Sequence, residues 1–351
     1  MSDREVDPQE REQDAALMRR ALELAARGPL GDPNPRVGAV IVDPAGLVLG
    51  EGFHQGAGTP HAEVMALHQA GAAAREGTAV VTLEPCAHTG RTGPCTQALI
   101  EAGVARVVFA QSDPTPSARG GRAVLEAAGV RTTAGVLAEE STALNDAWSF
   151  SFAAGRPKVT WKFAATLDGR SAAADGSSRW ITGPLARDDV HRLRSECDAV
   201  LVGTGTVIAD DPALTVRRSD GSTTPRQPVR VVMGLRPVSE TARVRDGSAP
   251  TLLLATHDPA LALKMMAERE IHHVWLEGGP TLAAAFLEAG LVDEVIAYLA
   301  PALLGAGPPA LGDLGIRTMD QALRLTPHEV TTIGPDIRVR ASIATPRREG
   351  R

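Results

Sequence analysis

The chain has 351 residues, of which 43% are hydrophobic, so it is long and apolar enough for two globular domains and is not wholly disordered. Its net charge of −6 weighs against bulk electrostatic binding to nucleic acid or to an anionic membrane. Three cysteines are too few for a disulfide framework, no run of about 18 apolar residues predicts a transmembrane helix, and residues 1–14 carry no apolar signal segment. We therefore expect a cytoplasmic protein without membrane or nucleic-acid partners.

The first half of the sequence alternates strands with helices, which is typical of a three-layer α/β domain. A charged arm over residues 1–13 is expected to be frayed, and a helical apolar pattern follows from Asp14 to about Gly28. β-branched runs and terminal prolines or glycines indicate the other elements. These are strands over 37–43, 47–52, 78–83 and 104–110, helices over 61–73 and 94–103, and one more helix and strand up to about residue 137.

A second series of elements begins after the Ala-Ala-Gly-Arg-Pro sequence at 153–157, so the domain boundary is predicted near 148–156. We accordingly predict one domain over 1–148 and another over 156–346. The second domain is expected to contain a helix from 182–184 to about 196, a polar loop over 217–227, and strands over 158–165, 199–203, 229–233, 252–255, 273–277, 294–300 and 337–343.

The strongest chemical signal is an H-x-E pattern formed by His61 and Glu63, followed by Cys86 and Cys95. One imidazole and two thiolates are the protein ligands of a catalytic zinc ion whose fourth position holds water. A proline precedes each cysteine at an expected helix start, and the amides of a helix N-terminus favour the thiolate that binds metal. The sequence therefore predicts a Zn²⁺ site at His61, Cys86 and Cys95.

Glu63 is expected to be the acid/base residue of this site. A carboxylate two residues from the metal ligand can carry a proton, because zinc lowers the pKa of a water that it holds to about 7. The alternative is a purely structural zinc site, which would need a fourth protein ligand. His54 or His88 could supply that ligand.

This pattern resembles the zinc-dependent nucleobase and nucleoside deaminases, in which the glutamate is acid/base and not a ligand. Those enzymes usually space the cysteines as C-x-x-C, whereas Cys95 follows Cys86 by nine positions. With this longer spacing, the chain is similar over about residues 14–345 to the bifunctional deaminase–reductases of riboflavin biosynthesis. The motifs that carry the resemblance in the first half are Pro33-Asn34-Pro35-Arg36-Val37-Gly38, Gly52-Phe53-His54-Gln55, Pro60-His61-Ala62-Glu63, Thr82-Leu83-Glu84-Pro85-Cys86 and Gly90-Arg91.

The resemblance implies a cytidine-deaminase-like three-layer αβα domain with one Zn²⁺ and a small phosphoribosyl pyrimidine as substrate. The residues that it implies for substrate contacts are Asn34, His54, His88, Arg91 and Asp113. The amide of Asn34 can pair with a pyrimidine edge, and His88 and Arg91 suit a phosphate. Thr115 stands where relatives often carry asparagine, so one contact is expected to differ.

Four segments of the second half, 164–170, 178–182, 209–217 and 277–282, resemble the reductase half of the same family. The resemblance implies a dihydrofolate-reductase-like α/β domain that uses NADPH. Gly278 and Gly279 lie between a predicted strand and helix, where exposed amides suit a diphosphate, although a glycine pair can also serve close packing. The implied cofactor contacts are Ala164, Trp180, Thr206, Asp210, Gly279, Pro280, Thr281, Leu282, Ala283, Ala284 and Ala285, and the implied substrate contacts are Ser178, Arg194, Leu214, Arg217 and Glu277.

Two points in the reductase half stay open. Lys162, Asp210 and Glu277 are all candidate proton donors for the reduction. Gly234-Leu235 replaces the Asp-Ser or Asp-Gly that relatives commonly carry, so one cofactor contact is lost or moved. The following Arg236 could pair with the adenosine 2′-phosphate, or it could be a solvated loop charge.

The resemblance implies two consecutive reactions. The first is zinc-dependent hydrolytic deamination of 2,5-diamino-6-(5-phosphoribosylamino)pyrimidin-4-one, and the second is NADPH reduction of the ribosyl group to ribityl. We expect a homo-oligomer. A nucleic-acid deaminase with an added domain is disfavoured by the acidic charge balance, and a non-catalytic scaffold is disfavoured because Glu63 and all three metal ligands are present.

Overall fold

The computed structural model describes residues 7–88 and 93–343. By its internal contacts the chain divides into two compact units, Met1–Ala154 and Gly155–Arg351. In the described ranges, none of the helices has the length and apolar composition that would let it cross a bilayer.

The first unit is a five-stranded sheet between two layers of helices. Its strands are β1 (Gly38–Val42), β2 (Val48–Phe53), β3 (Thr78–Leu83), β4 (Arg106–Gln111) and β5 (Arg131–Ala134), and its helices are α1 (Pro8–Ala25), α2 (Ala62–Ala70), α3 (Cys95–Ala102), α4 (Gly121–Ala127), α5 (Ala138–Leu144) and α6 (Asp146–Ala154). A short 3₁₀ helix, Gly71–Ala74, follows α2. The strand order is β2-β1-β3-β4-β5, with β1 antiparallel to both neighbours and β3, β4 and β5 parallel.

Successive side chains of each strand point to opposite faces of the sheet, so this unit has two hydrophobic cores, one on each face. Ile41 of β1 packs with helices α2, α3 and α4 on one face, whereas its neighbour Val40 packs with α1 on the other. This arrangement confirms the predicted three-layer domain. The helices α5 and α6 were not predicted, and α6 runs through the end of the segment 1–148.

The prediction of a frayed arm was wrong for residues 8–13, which form the first turns of α1. Asp7 caps this helix by accepting a hydrogen bond from the backbone N–H of Gln9 (3.1 Å). The buried Asp14 then pairs with Arg106 of β4 at 2.6 Å, which fixes the helix to the sheet. Residues 1–6 of the predicted arm lie outside the described residues.

The second unit is an eight-stranded mixed sheet with helices on both faces. Its strands are β6 (Lys158–Thr166), β7 (Ala199–Gly203), β8 (Val229–Met233), β9 (Thr251–Leu254), β10 (His273–Leu276), β11 (Glu294–Ala300), β12 (Leu325–Ile333) and β13 (Asp336–Ile343), and its longer helices are α7 (Pro184–Ser195), α8 (Thr204–Asp210), α9 (Pro259–Ala267) and α10 (Pro280–Glu288). Two short 3₁₀ helices, Arg243–Arg245 and Met319–Gln321, complete it. The strand order is β12-β13-β11-β6-β10-β7-β8-β9.

The six strands from β11 to β9 are parallel, and β13 and β12 extend the sheet in antiparallel fashion. Helices α9 and α10 cover one face of the sheet, and α7 and α8 cover the other. Because parallel strands are buried on both faces, their sequences are almost continuously apolar, and β7, β8 and β11 were predicted with their observed ends. The polar edge strand β12, which contains Pro327, was missed.

Candidate active sites of the two units

The predicted metal ligands of the first unit come together although they belong to three separate segments. His61 immediately precedes α2, Cys95 is the first residue of α3, and Cys86 lies in the segment after β3. The Nδ1 atom of His61 is 3.1 Å from Sγ of Cys95 and 3.7 Å from Sγ of Cys86. The expectation that Cys86 also begins a helix was wrong. Its sulfur instead receives the backbone N–H of Cys95 at the start of α3, at 3.3 Å.

The chemistry of this donor set fits Zn²⁺. The three ligand atoms lie within 4.8 Å of one another, and no fourth His, Cys, Asp or Glu of the described residues belongs to the group. Hydrogen bonding from Cys95 lowers the pKa of Cys86, while that same bond and burial raise the pKa of Cys95. A bound cation would stabilise both thiolates, the form in which cysteine binds metal. Three protein ligands with one open position are typical of a catalytic zinc site rather than a structural one.

Glu63 lies in the first turn of α2, with only 4% of its surface exposed. Burial is the largest influence on its carboxyl group and raises its pKa. The helix can approach β2 closely because Gly52 has no side chain: a Cβ atom there would lie 2.3 Å from the carbonyl oxygen of Ala62. The absence of a side chain at Gly52 therefore lets α2 lie close to β2, and this position of the helix brings Glu63 beside the metal ligands.

Asn34 and His54, both predicted to contact substrate, form a pair next to the metal ligands. The Nδ2 atom of Asn34 is 3.0 Å from Nε2 of His54, whose Nδ1 is 3.3 Å from the carbonyl oxygen of Pro60. The ring centroids of His54 and His61 are 5.5 Å apart. Burial lowers the pKa of His54, which favours a neutral ring. His54 is therefore engaged with Asn34 and is not the fourth ligand of a structural metal.

Asp113 is buried, and burial raises its pKa. Its carboxylate accepts hydrogen bonds from the backbone N–H (2.8 Å) and the hydroxyl (2.7 Å) of Thr115. Thr115, which stands where relatives often carry asparagine, therefore orients the carboxylate of Asp113. Glu84 was not predicted as a site residue; its buried carboxylate accepts the backbone N–H groups of Asp113 and Arg122 at 3.2 and 2.8 Å. An acidic residue directly after the almost fully buried β3 was the signal for it.

The other two predicted contacts of this unit belong to the loop between the cysteines. The Nδ1 atom of His88 is buried and has no hydrogen-bond partner in the described part of the chain, so it is available to a ligand. Arg91 lies outside the described residues.

In the second unit the structure brings Arg194 and Glu277 into contact. The carboxylate of Glu277, just after β10, accepts hydrogen bonds from Nη2 of Arg194 and Nε1 of Trp275, both at 2.6 Å. Burial alone would raise the pKa of Glu277, but the charges of Arg194 and Lys162 outweigh it and lower the pKa to about 2. Burial lowers the pKa of Lys162, against the opposing charge of Glu277. Asp210 is exposed at the end of α8 and, within the described ranges, bonds to none of these groups.

The loop after α8 joins this group through Arg194, which also donates a hydrogen bond to the carbonyl oxygen of Thr215 (3.0 Å). Leu214 is buried there with a φ of 52°, and Arg217 is exposed. His191 was not predicted as a site residue; its Nδ1 accepts the backbone N–H of Arg217 at 3.3 Å. Its position three residues before Arg194, on the same face of α7, was the available signal.

The residues predicted to bind the cofactor belong to several segments, namely strand β6, the segment before α7, helix α8 and the start of α10. Gly279 is the N-cap of α10, and no side chain caps the helix. Pro280 has no N–H, and Leu282 and Ala283 donate to the carbonyl oxygen of Gly279, so the backbone N–H of Thr281 suits an anionic diphosphate. Gly278 is required by packing, since a Cβ atom there would lie 2.5 Å from the side chain of Leu282. The remaining predicted positions differ in exposure: Trp180, Ser178 and Thr281 are exposed, Ala164, Thr206, Pro280, Leu282 and Ala285 are half-buried, and Ala283 and Ala284 are buried.

Two arginines that the motifs did not include lie beside the predicted cofactor residues. The Arg187 guanidinium lies 4.3 Å from the centre of the Trp180 ring and donates to the carbonyl oxygen of Thr182 at 2.8 Å. Arg236 approaches α8, because a Cβ atom on Gly205 would lie 2.8 Å from its Nη2. Arg187 therefore supports one face of an exposed aromatic ring, and Arg236 places a cation over the first turn of α8.

Comparison with known proteins gives matches for both units. Residues 11–111 match the family model of the cytidine and deoxycytidylate deaminase zinc-binding region, and residues 157–339 match that of the RibD C-terminal domain. Riboflavin biosynthesis protein RibD of Mycobacterium tuberculosis is 51% identical over 307 residues, which cover 87% of this chain and 90% of that protein. The Escherichia coli protein of the same name is 44% identical over 360 residues, covering 93% and 98%.

Solved structures agree with these matches over most of the chain. RibD of Acinetobacter baumannii has a TM-score of 0.87 and 39% identity, covering 95% of this chain and all of that one. A diaminohydroxyphosphoribosylaminopyrimidine deaminase/5-amino-6-(5-phosphoribosylamino)uracil reductase of Thermotoga maritima has a TM-score of 0.85 and 33% identity, with the same coverage.

The metal site makes a direct prediction about zinc content. The purified protein is expected to contain about one zinc ion per chain, and Cys86→Ser is expected to contain almost none, because a serine hydroxyl is a far poorer ligand than a thiolate. Elemental analysis after dialysis measures this. Cys197→Ser is the matched control, since Cys197 is equally a buried free thiol but does not belong to the ligand group. A full equivalent of zinc in Cys86→Ser would contradict the assignment.

Proposed function

The chain belongs to the RibD family of riboflavin biosynthesis enzymes, which join a deaminase to a reductase, and from that membership we propose how its residues divide the two reactions. It is a bifunctional enzyme that deaminates 2,5-diamino-6-(5-phosphoribosylamino)pyrimidin-4-one and then reduces the ribosyl group to ribityl, with zinc for the first reaction and NADPH for the second. We assign deamination to residues 1–148 and reduction to residues 156–346.

The observation that carries the deaminase assignment is the buried Glu63 beside three converging ligand atoms. Zinc, when bound by His61, Cys86 and Cys95, acts as a Lewis acid that makes hydroxide available near neutral pH. Hydrolysis replaces the amino group on a ring carbon by oxygen, so a proton must reach the leaving ammonia. Glu63 holds that proton on its carboxylate, because the carboxyl group is buried beside the ligand atoms and burial raises its pKa.

The neighbouring polar groups orient the pyrimidine. Asn34, held by His54, presents an amide that can both donate and accept hydrogen bonds along one ring edge. Asp113 is held from both sides, by Thr115 at its carboxylate and by Glu84 at its amide, so it adds a second fixed polar group. His88 supplies a ring nitrogen that has no hydrogen-bond partner among residues 7–88 and 93–343, and Arg91 supplies a cation for the phosphate.

In the reductase, NADPH supplies the hydride when it is bound, and a protein group supplies the proton. Glu277 is not a suitable donor at neutral pH, because a carboxyl group with a pKa of about 2 is already ionised. Burial lowers the pKa of Lys162, which makes its ammonium a better acid. We therefore assign the proton to Nζ of Lys162 and the orientation of substrate to Glu277, Arg194 and Arg217.

We also propose that the enzyme is a cytoplasmic homo-oligomer. What supports the oligomer is the exposed edge strand β12, whose Leu325 and Val330 are 45% and 65% exposed. A second copy that added to this edge would pair its backbone groups and cover apolar surface.

Replacement of the proposed acid/base residue separates the two reactions. Glu63→Gln is expected to retain zinc but to lower the deamination rate by about 10²–10⁴-fold, because glutamine has the same shape and cannot carry the proton. Its reduction of pre-deaminated substrate is expected to be normal. Initial rates of both reactions test this, with the exposed Glu23→Gln as control. Deamination by Glu63→Gln within a few-fold of wild type would show that the role is wrong.

Replacement of Lys162 tests the choice among the proton donors. Lys162→Met is expected to lower kcat of the reductase by about 10²–10⁴-fold and to leave deamination unchanged. Asp210→Asn is expected to change kcat little, and Lys158→Met, on the same strand, is the matched control. NADPH oxidation under saturating substrate measures kcat. If Asp210→Asn lost activity and Lys162→Met retained it, the donor would be Asp210.

Arg236 is proposed to pair with the 2′-phosphate of NADPH. The observations that support this are its exposure and its position over Gly205 at the start of α8. Arg236→Ala is expected to reduce the preference for NADPH over NADH, measured as the ratio of the two kcat/KM values, by about tenfold or more. The preference for NADP⁺ over NAD⁺, measured as the ratio of the two Kd values, is expected to fall by a similar factor. The exposed Arg243→Ala is the control. An unchanged preference would remove Arg236 from the site.

A further inference from the structure

His191 lies on helix α7, three residues before Arg194 and on the same face of the helix. The backbone N–H of Arg217 donates a hydrogen bond to its Nδ1 atom at 3.3 Å. Because Nδ1 accepts this bond, the ring proton of the neutral imidazole is on Nε2. The hydrogen bond thus connects a half-buried side chain of α7 to the loop that follows α8.

The surroundings of His191 keep its ring neutral. Burial is the largest influence, and the charges of Arg194 and Arg217 act in the same direction, whereas Glu277 and Asp188 oppose them. The result is a pKa of about 4, so Nδ1 remains an acceptor at neutral pH. A protonated ring could not accept the Arg217 N–H, and the arginines therefore protect the hydrogen bond that holds the loop.

Helix α7 holds this loop at two points. Arg194 donates to the carbonyl oxygen of Thr215, and His191 accepts the amide of Arg217. The two hydrogen bonds fix the backbone on both sides of Val216, and the exposed guanidinium of Arg217 extends from this fixed backbone. Arg194 is in turn paired with Glu277. The backbone of Arg217 is therefore held in a fixed position relative to Glu277, the buried group that orients the substrate.

We propose that His191 is a positioning residue of the reductase, which acts through the backbone of Arg217 to hold that guanidinium where it binds the phosphate of the substrate. This inference rests on the proposed function, in which Arg217 contacts the substrate. It assigns to His191 an effect on substrate affinity, and no part in hydride or proton transfer. A fixed guanidinium binds phosphate more tightly than a mobile one, because less side-chain and loop freedom is lost on binding.

The test compares three replacements of His191 in the full-length enzyme with pre-deaminated substrate and NADPH. His191→Phe removes the acceptor, and its KM for the substrate is expected to rise about 3- to 10-fold while kcat and the Kd of NADPH stay unchanged. His191→Asn keeps an oxygen acceptor near the position of Nδ1 and is expected to recover most of the affinity. The matched control is His257→Phe, at an exposed histidine of the same unit.

A double replacement tests whether His191 acts through Arg217. If it does, His191→Phe is expected to have little further effect on KM in an Arg217→Ala background, so the two changes are non-additive. Competition by inorganic phosphate gives a second readout, and its Ki is expected to rise in parallel with KM. If His191→Phe does not fold, as judged by its thermal transition, His191→Gln, whose amide is displaced from the Nδ1 position, replaces it with the same expectation.

The outcomes separate this inference from the proposed function. No NADPH-dependent reduction by the wild type would overturn the reductase assignment itself. An active wild type with an unchanged KM in His191→Phe, a loss confined to kcat, no recovery in His191→Asn, or additive effects with Arg217→Ala would each overturn the role of His191 alone.

Discussion

The ion pair between Arg194 and Glu277, with side chains only 11% and 12% exposed, is the interaction on which the reductase site depends. It joins helix α7 to the end of strand β10, and Arg194 extends the connection to the loop at Thr215. Removing one partner of a buried pair typically costs about 3–5 kcal/mol, because the other charge is left without compensation. Glu277 is further held by Trp275, so three segments that are distant in sequence keep one geometry without any ligand.

The deaminase site is organised differently, since its ligand atoms carry like charge once both thiols ionise. The hydrogen bond between the two thiols lowers the pKa of Cys86 and raises that of Cys95, and a bound cation would stabilise both thiolates. The protein contributes preorganisation: the first amide of α3 already points to the sulfur of Cys86. The charge of the deaminase ligands is therefore compensated by a bound metal ion, whereas in the reductase site Arg194 and Lys162 compensate the charge of Glu277.

The sequence was sufficient where one local pattern determines the structure. Buried strands such as Thr78–Leu83 have continuous β-branched runs, and the metal ligands and Glu63 lie in short motifs. The sequence was insufficient where a residue or strand interacts with a partner that is distant in the chain. Asp14 and Arg106, which are 92 positions apart, pair and fix α1 to the sheet. The polar strand β12 forms because β13 offers it an edge to pair with. Glu84 and His191 were missed for the same reason, since each is defined by a backbone amide that the fold brings to it.

Gly234 shows how a departure from the family pattern is absorbed by its neighbours. Its φ of 142° is accessible to glycine and strained for other residues, and a Cβ atom there would lie 2.6 Å from the hydroxyl of Thr204. A polar side chain at this position would therefore require the turn to move away from α8. With glycine the turn approaches the helix closely, and Arg236 two residues later reaches Gly205, which has no side chain to obstruct it. The turn after β8 thus combines a glycine in close contact with Thr204 and a cation next to Gly205. A cation at this place suits a cofactor that carries an extra phosphate.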